Sequence, residues 1–182
     1  MAWLITGRSF FIVEIPENMP FCRRDKEGRV ITMIENEANG KLRVIVCRPD
    51  EMAEVIEIDD SLDAMQALVG GLIEEYDPFY SESDPRYENV MLVCNEEGKF
   101  MQMPPSRAIT DENGVLLDVI AGPFFLCYAP IESERYLPLP EDLEEEFLKK
   151  YELPEKIYRT NRGILAVKYE PSGRTREEVQ ER

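Results

Sequence analysis

The chain has 182 residues, a formal net charge of −16 and no histidine. That length suits one well-buried core with at most a small appendage, and a hydrophobic share of 43% rules out wholesale disorder. The charge disfavours a broad face on nucleic acid or anionic lipid, and the lack of histidine removes the Ser-His-Asp and Cys-His arrangements and the HExxH zinc motif.

The opening MAWLITGRSFFIVEIP has no basic leader or small-residue cleavage site, and Arg8 and Glu14 interrupt it, so it reads as a pair of strands rather than a targeting segment. Residues 9–15 (SFFIVEI) and 29–34 (RVITMI) are rich in β-branched and aromatic types, which predicts strands joined by the polar loop PENMPFCRRDKEG. Asn39-Gly40 is a tight-turn signal, because both residues tolerate positive φ. It leads into predicted strands at 41–47 (KLRVIVC) and 52–58 (MAEVIEI). Asp60 or Ser61 then offers a helix N-cap before LDAMQALVGG, where Leu62, Met65, Leu68 and Val69 share a face and Gly70-Gly71 ends the helix, releasing the chain into LIEEYDPF. A strand is expected at 89–94, a turn at 95–99, and an irregular segment with a fixed bend at 104–109 (PPSRAI). DENG at 111–114 forms a turn before VLLDVIAG and PFFLCYA, the most apolar stretch and expected at the centre of the core. Residues 138–151 predict a helix with prolines at its entrance, acids early and lysines late, an order that complements the helix dipole. A last strand is expected at 164–169, ahead of a charged tail.

The fold class expected is α+β: a mostly antiparallel sheet with one or two packed helices, an N-terminal hairpin extension (1–40), a core domain (41–130), and a C-terminal part (131–182) with an acidic helix, a strand and the tail. Cys22, Cys47, Cys94 and Cys127 contain no CxxC pair, and at least three lie in apolar runs. They read as reduced core residues of a cytoplasmic protein, without zinc. No Walker or GxGxxG loop is present. Asp59, Asp60 and Asp63 are carboxylates of the kind Mg²⁺ takes, yet helix capping accounts for their placement. Arg107 beside Pro104-Pro105 is either an anion-binding side chain or a donor to loop carbonyls. The reading is of a non-enzyme with no cofactor and no metal.

Acid is concentrated along the chain. Residues 50–90 hold thirteen carboxylates against Arg86 alone, a net of −12, whereas 156–182 has seven cations against four acids. Such clustering costs stability by self-repulsion and suits a lysine- and arginine-lined partner. The expected partner-binding residues are Asp59, Asp60, Asp63, Glu74, Glu75, Asp77, Tyr80, Glu82 and Asp84, together with Glu141, Asp142, Glu144, Glu145 and Glu146 of the C-terminal helix. Tyr76, Phe79, Tyr80 and Tyr87 lie among these acids, as interface aromatics or as loop packing.

The segments EIDDSLDAMQALVGGLIE (57–74), MLVCNEEGK (91–99), PPSRAI (104–109) and VIAGPFFL (119–126) make the stretch from about 41 to 130 resemble a domain family of unknown function from phages and mobile elements of gut Firmicutes. That resemblance brings no catalytic residues, and 1–40 and 131–182 depart from the family's shorter members. In charge and length, and in the setting this resemblance implies, the chain is also similar to type II anti-CRISPR proteins, inhibitors of Cas9. The resemblance implies a DNA-mimicking inhibitor in the bacterial cytoplasm that binds Cas9, or Cas9 with its guide RNA. The rival expectations are an accessory binding module of the mobile element and a carboxylate- and metal-dependent enzyme.

Overall fold

The computed structural model describes Cys22–Arg24, Val30–Thr32, and residues 40–81 and 84–171. The chain divides into two units, Met1–Asn39 and Gly40–Arg182. In the first, β1 (Cys22–Arg24) pairs antiparallel with β2 (Val30–Thr32). β2 falls within the strand expected at 29–34, but its partner comes from the stretch read as a polar loop. The strand expected at 9–15 lies outside the described residues.

The second unit is built on a five-stranded, wholly antiparallel sheet. Its strands are β3 (Lys41–Cys47), β4 (Glu54–Asp59), β5 (Ile73–Tyr76), β6 (Val90–Asn95) and β9 (Phe124–Tyr128), in the order β4-β3-β9-β6-β5. Helix α1 (Leu62–Val69) links the two edge strands β4 and β5. β7 (Pro105–Thr110) and β8 (Leu116–Ala121) form a bulged hairpin, α2 spans Glu141–Tyr151, and β10 (Glu155–Thr160) with β11 (Gly163–Lys168) forms a second hairpin. This is the expected α+β fold with a mostly antiparallel sheet.

Strand alternation puts a core on each face of the sheet. Leu42, Val44, Val93, Phe125 and Cys127 face Met65 and Val69 of α1. Ile45, Cys47, Leu92, Phe124 and Leu126 face Leu143, Phe147 and Tyr151 of α2. The three inner strands are therefore buried on both sides, which explains the unbroken apolar runs VIVC, MLVC and FFLC. Phe79 meets Phe147 edge-on at 4.8 Å between ring centres, and Tyr87 approaches the same ring at 5.6 Å. Cys47, Cys94 and Cys127 are free and buried, and burial raises the Cys47 thiol to about 12.

Four elements of the second unit differ from expectation. VLLDVIAG, expected in the central core, forms β8 with Leu116 and Leu117 exposed and Ile120 buried, because β8 pairs only with β7 outside the five-stranded sheet. LIEEYDPF contains a strand, β5, because Ile73 and Tyr76 pair with Asn95 and Leu92 at the sheet edge. PPSRAI, expected to be irregular, forms β7, with a register shift between Pro105 and Arg107 that accommodates the prolines. EKIYRT at 155–160 is a strand that its polar, alternately exposed composition did not signal.

Arg107 is an inward carbonyl donor. It is fully buried; its Nε donates to Tyr151 O (3.2 Å), Nη1 to Arg48 O (3.2 Å) and Ser106 O (3.1 Å), and Nη2 to Glu51 O (2.7 Å). One guanidinium thus joins the C-terminal end of α2, the turn after β3 and β7. Burial lowers its pKa, and the carbonyl oxygens, one of them at the negative end of the α2 dipole, favour the charge it keeps. Nearby, Ala53 N donates to Glu152 O (2.9 Å) and Ala108 N to Glu155 Oε2 (2.7 Å). Replacing Arg107 with Met removes the donor from the carbonyls of the buried residues Ser106 and Tyr151 and unties the three segments, with an expected loss of about 3–5 kcal/mol in urea unfolding. Arg107→Lys is expected to recover only a minor part, because a single ammonium cannot span three chain segments.

Candidate partner-binding surface

The residues expected to bind a partner fall on both faces of the sheet. In β5, alternation sends Glu75 to the α1 face, where it accepts from the Tyr136 hydroxyl, and Glu74 to the α2 face. At the start of α1, Ser61 is the N-cap, accepting from Ala64 N at 3.3 Å. Asp60 lies 3.6 Å from Arg135, and Asp63 is exposed in the first turn. Asp59 pairs with Lys41 at 2.6 Å across the β3–β4 ladder.

On the α2 face, the segment after β5 crosses toward the helix with Phe79 buried and Tyr80 61% exposed. Tyr80 borders a shallow recess with Ser81, Pro85 and Glu88. Asp84 caps the short 3-10 turn Pro85–Tyr87 by accepting from Arg86 N. Arg86 then clamps three acids, lying 2.7 Å from Asp84, 3.0 Å from Asp142 and 3.6 Å from Glu146. These bonds raise the Arg86 pKa and lower that of Asp84. On the opposite flank of α2, Glu144 takes a two-pronged bond from Arg43 of β3, both contacts 2.8 Å.

Helical spacing explains this division. Leu143, Phe147 and Tyr151 point into the core, Asp142 and Glu146 lie on one flank and Glu144 on the other, and Glu141 and Glu145 point outward. Among the described residues, Asp63, Glu74, Asp77, Glu141 and Glu145 have no ion pair, while Asp59, Asp60, Asp84, Asp142, Glu144 and Glu146 each have one. Glu82 lies outside the described residues. On the α2 side, the acids without an ion pair that face solvent are therefore Asp77 in the connection, where Tyr80 is also exposed, and Glu141 and Glu145 on the outward face of the helix. Asp63 and Glu75 belong to the other face.

A cleft of about 240 Å³, not anticipated from the sequence, lies between β5, β6 and β8. Glu74, Tyr76, Cys94, Lys99 and Asp118 line it, and Lys99 pairs with Asp118 at 2.5 Å. Its rim is the turn after β6, held by close packing. Asn95 Nδ2 donates to Val69 O (3.3 Å), its Oδ1 accepts from Glu97 N (2.8 Å), and a Cβ on Gly98 would sit 2.5 Å from Ala121 O. The signal in the sequence was the motif MLVCNEEGK, whose Asn95 and Gly98 fix the turn. Among the described residues, no group of three or more Cys, Asp or Glu side chains converges as a metal ion requires. No helix among them is long and apolar enough to cross a membrane.

The family model for a domain of unknown function, DUF3846, matches residues 42–152. The chain belongs to the DUF3846 family. The DUF3846 match runs past residue 130, the end expected from the sequence, and closes just after α2, taking in the helix, its Arg43 bond and the carbonyls that Arg107 gathers. The β10–β11 hairpin lies beyond it. No curated protein and no solved structure matches the chain.

Tyr87 donates its hydroxyl to Glu146, which raises its pKa to about 12. Because the folded value lies above the ordinary value of about 10, the stabilisation is complete below about pH 10 and is lost as pH rises through 12. Tyr87→Phe is expected to cost about 1 kcal/mol at neutral pH. In urea melts across an alkaline series, that difference from the parent should vanish above pH 12.

Proposed function

We propose that this protein is a non-enzymatic inhibitor that binds a basic, nucleic-acid-processing defence protein, most concretely Cas9 or its guide-RNA complex, in the bacterial cytoplasm. The single observation that carries the reading is the outward pair Glu141 and Glu145 on α2, a helix that the Arg86 clamp ties to the connection carrying Asp77 and the exposed Tyr80. Carboxylates fixed on a helix enter a lysine- and arginine-lined groove without ordering a flexible segment first, and an exposed tyrosine adds contact area at low entropic cost. Grooves that hold a guide–target duplex contact its phosphates through such cations. Carboxylates placed there act as a DNA mimic and compete with phosphate, while the net charge of −16 speeds encounter.

The acids already bound to Arg43 and Arg86 supply rigidity, and those without a cation supply attraction. This division gives the proposal its test. Glu141→Gln with Glu145→Gln and Asp77→Asn is expected to weaken binding to purified Cas9 by roughly tenfold or more and to flatten its salt dependence. Asp59→Asn, on a carboxylate held by Lys41, should change affinity little. A pull-down with and without guide RNA, followed by a cleavage assay, reads the outcome; no association in either state overturns the Cas9 reading. Binding to a different basic protein from the same mobile element would favour an accessory module instead.

A further inference from the structure

The β10–β11 hairpin is the one described element of the second unit whose character opposes the rest. Its strands and turn carry Lys156, Arg159, Arg162 and Lys168 against Glu155. It stands outside the DUF3846 match and packs beside β7 through β10, leaving β11 on the outside. One face is an exposed cross-strand strip of Tyr158 (52%), Leu165 (51%) and Val167 (43%). The chain runs Gly-Ile-Leu-Ala-Val-Lys along β11, a short apolar strand with no proline and no acid.

The backbone gives the direction of the unused groups. Tyr169 N donates inward to Pro154 O, so alternation turns the N–H and C=O groups of Ile164 and Ala166 away from β10. No backbone hydrogen bond reaches them among the described residues. In the five-stranded sheet, β4 is an edge strand of the same six-residue length, with Glu54, Glu57 and Asp59 and no cation; Arg48 holds Glu54 and Lys41 holds Asp59, and Glu57 has no ion pair among the described residues. Its outward backbone at Val55 and Glu57 is likewise without a described backbone partner. Lys156 and Lys168 are already engaged with Asp50 and Lys150 O, whereas the guanidinium groups of Arg159 and Arg162 have no acceptor among the described residues.

We propose that β11 pairs with β4 of a second copy of this chain, extending that copy's five-stranded sheet, and that two reciprocal contacts close a twofold dimer. Two features select this occupant. The aliphatic strip of Leu165 and Val167 suits a protein surface and does nothing for phosphate. The cations of the hairpin meet an edge that is acidic and equal in length, whereas β11 against β11 would bring two basic ribbons together.

Sedimentation velocity on the full chain, over a roughly hundredfold range of concentration, tests this by mass action. A monomer–dimer equilibrium that added salt weakens is expected. Ala166→Pro removes an outward N–H without touching the ladder to β10, and should weaken association roughly tenfold or more with an unchanged circular dichroism spectrum. Arg162→Glu and Glu57→Lys should each weaken it, and the two together should restore it; this pair keeps the test sharp if the proline disturbs the hairpin. A monomer at every concentration, a dimer indifferent to the charge reversals, or a ribbon that instead captures short duplex DNA through Arg159 and Arg162, would overturn the proposal.

Discussion

The second unit depends on a single buried cation. Among the described residues, Arg107 has no carboxylate bonded to it; its donors go to backbone carbonyls of Arg48, Glu51, Ser106 and Tyr151. These oxygens belong to a turn, a strand and a helix end that are far apart in sequence, and two of them, those of Ser106 and Tyr151, are on buried residues. A planar guanidinium is the one side chain whose fixed fork serves three directions at once. The register shift in β7 beside Pro105 fits the same constraint, since it falls between Pro105 and Arg107. With α2 held there, Phe147 and Tyr151 are positioned over the sheet, and Glu141 and Glu145 turn to the opposite side.

Charge is distributed by a second rule. In a chain with a net charge of −16, several acids are paired with cations, namely Lys41, Arg43, Arg86, Arg135 and Lys156. Exposed pairs of this kind contribute little individually, since solvent screens them. Their effect is geometric: Arg86 ties the connection after β5 to α2, and Arg43 ties α2 to β3. The dense run of acids between residues 50 and 90 does not form one surface, because the sheet passes between Glu74 and Glu75.

What could be read in the sequence was what local periodicity records. The doubly buried strands β3, β6 and β9 stood out as apolar runs, α1 by its cap and glycine stop, and α2 by prolines, acids and lysines in dipole order. Of the edge and ribbon strands, β4 and β11 were expected, whereas β5 and β10 did not stand out. β5 places two glutamates in a row, and β10 is exposed on alternate residues with charges between, so neither shows the apolar pattern of a covered strand. The pairing of acids was also hidden, since Arg43 finds Glu144 and Arg86 finds Asp142 across long stretches of chain. For Arg107, the neighbouring prolines suggested a structural role, but only the folded chain brings its four carbonyls together.

On α2, the residues that hold the fold and those that face solvent are different ones: 143, 147 and 151 inward, 141 and 145 outward. Substitutions at the outward positions leave the core packing intact, so a lineage can change the chemistry of this exposed face while the folding instructions stay the same. The surface of this helix is free to drift quickly, and its packed side is not.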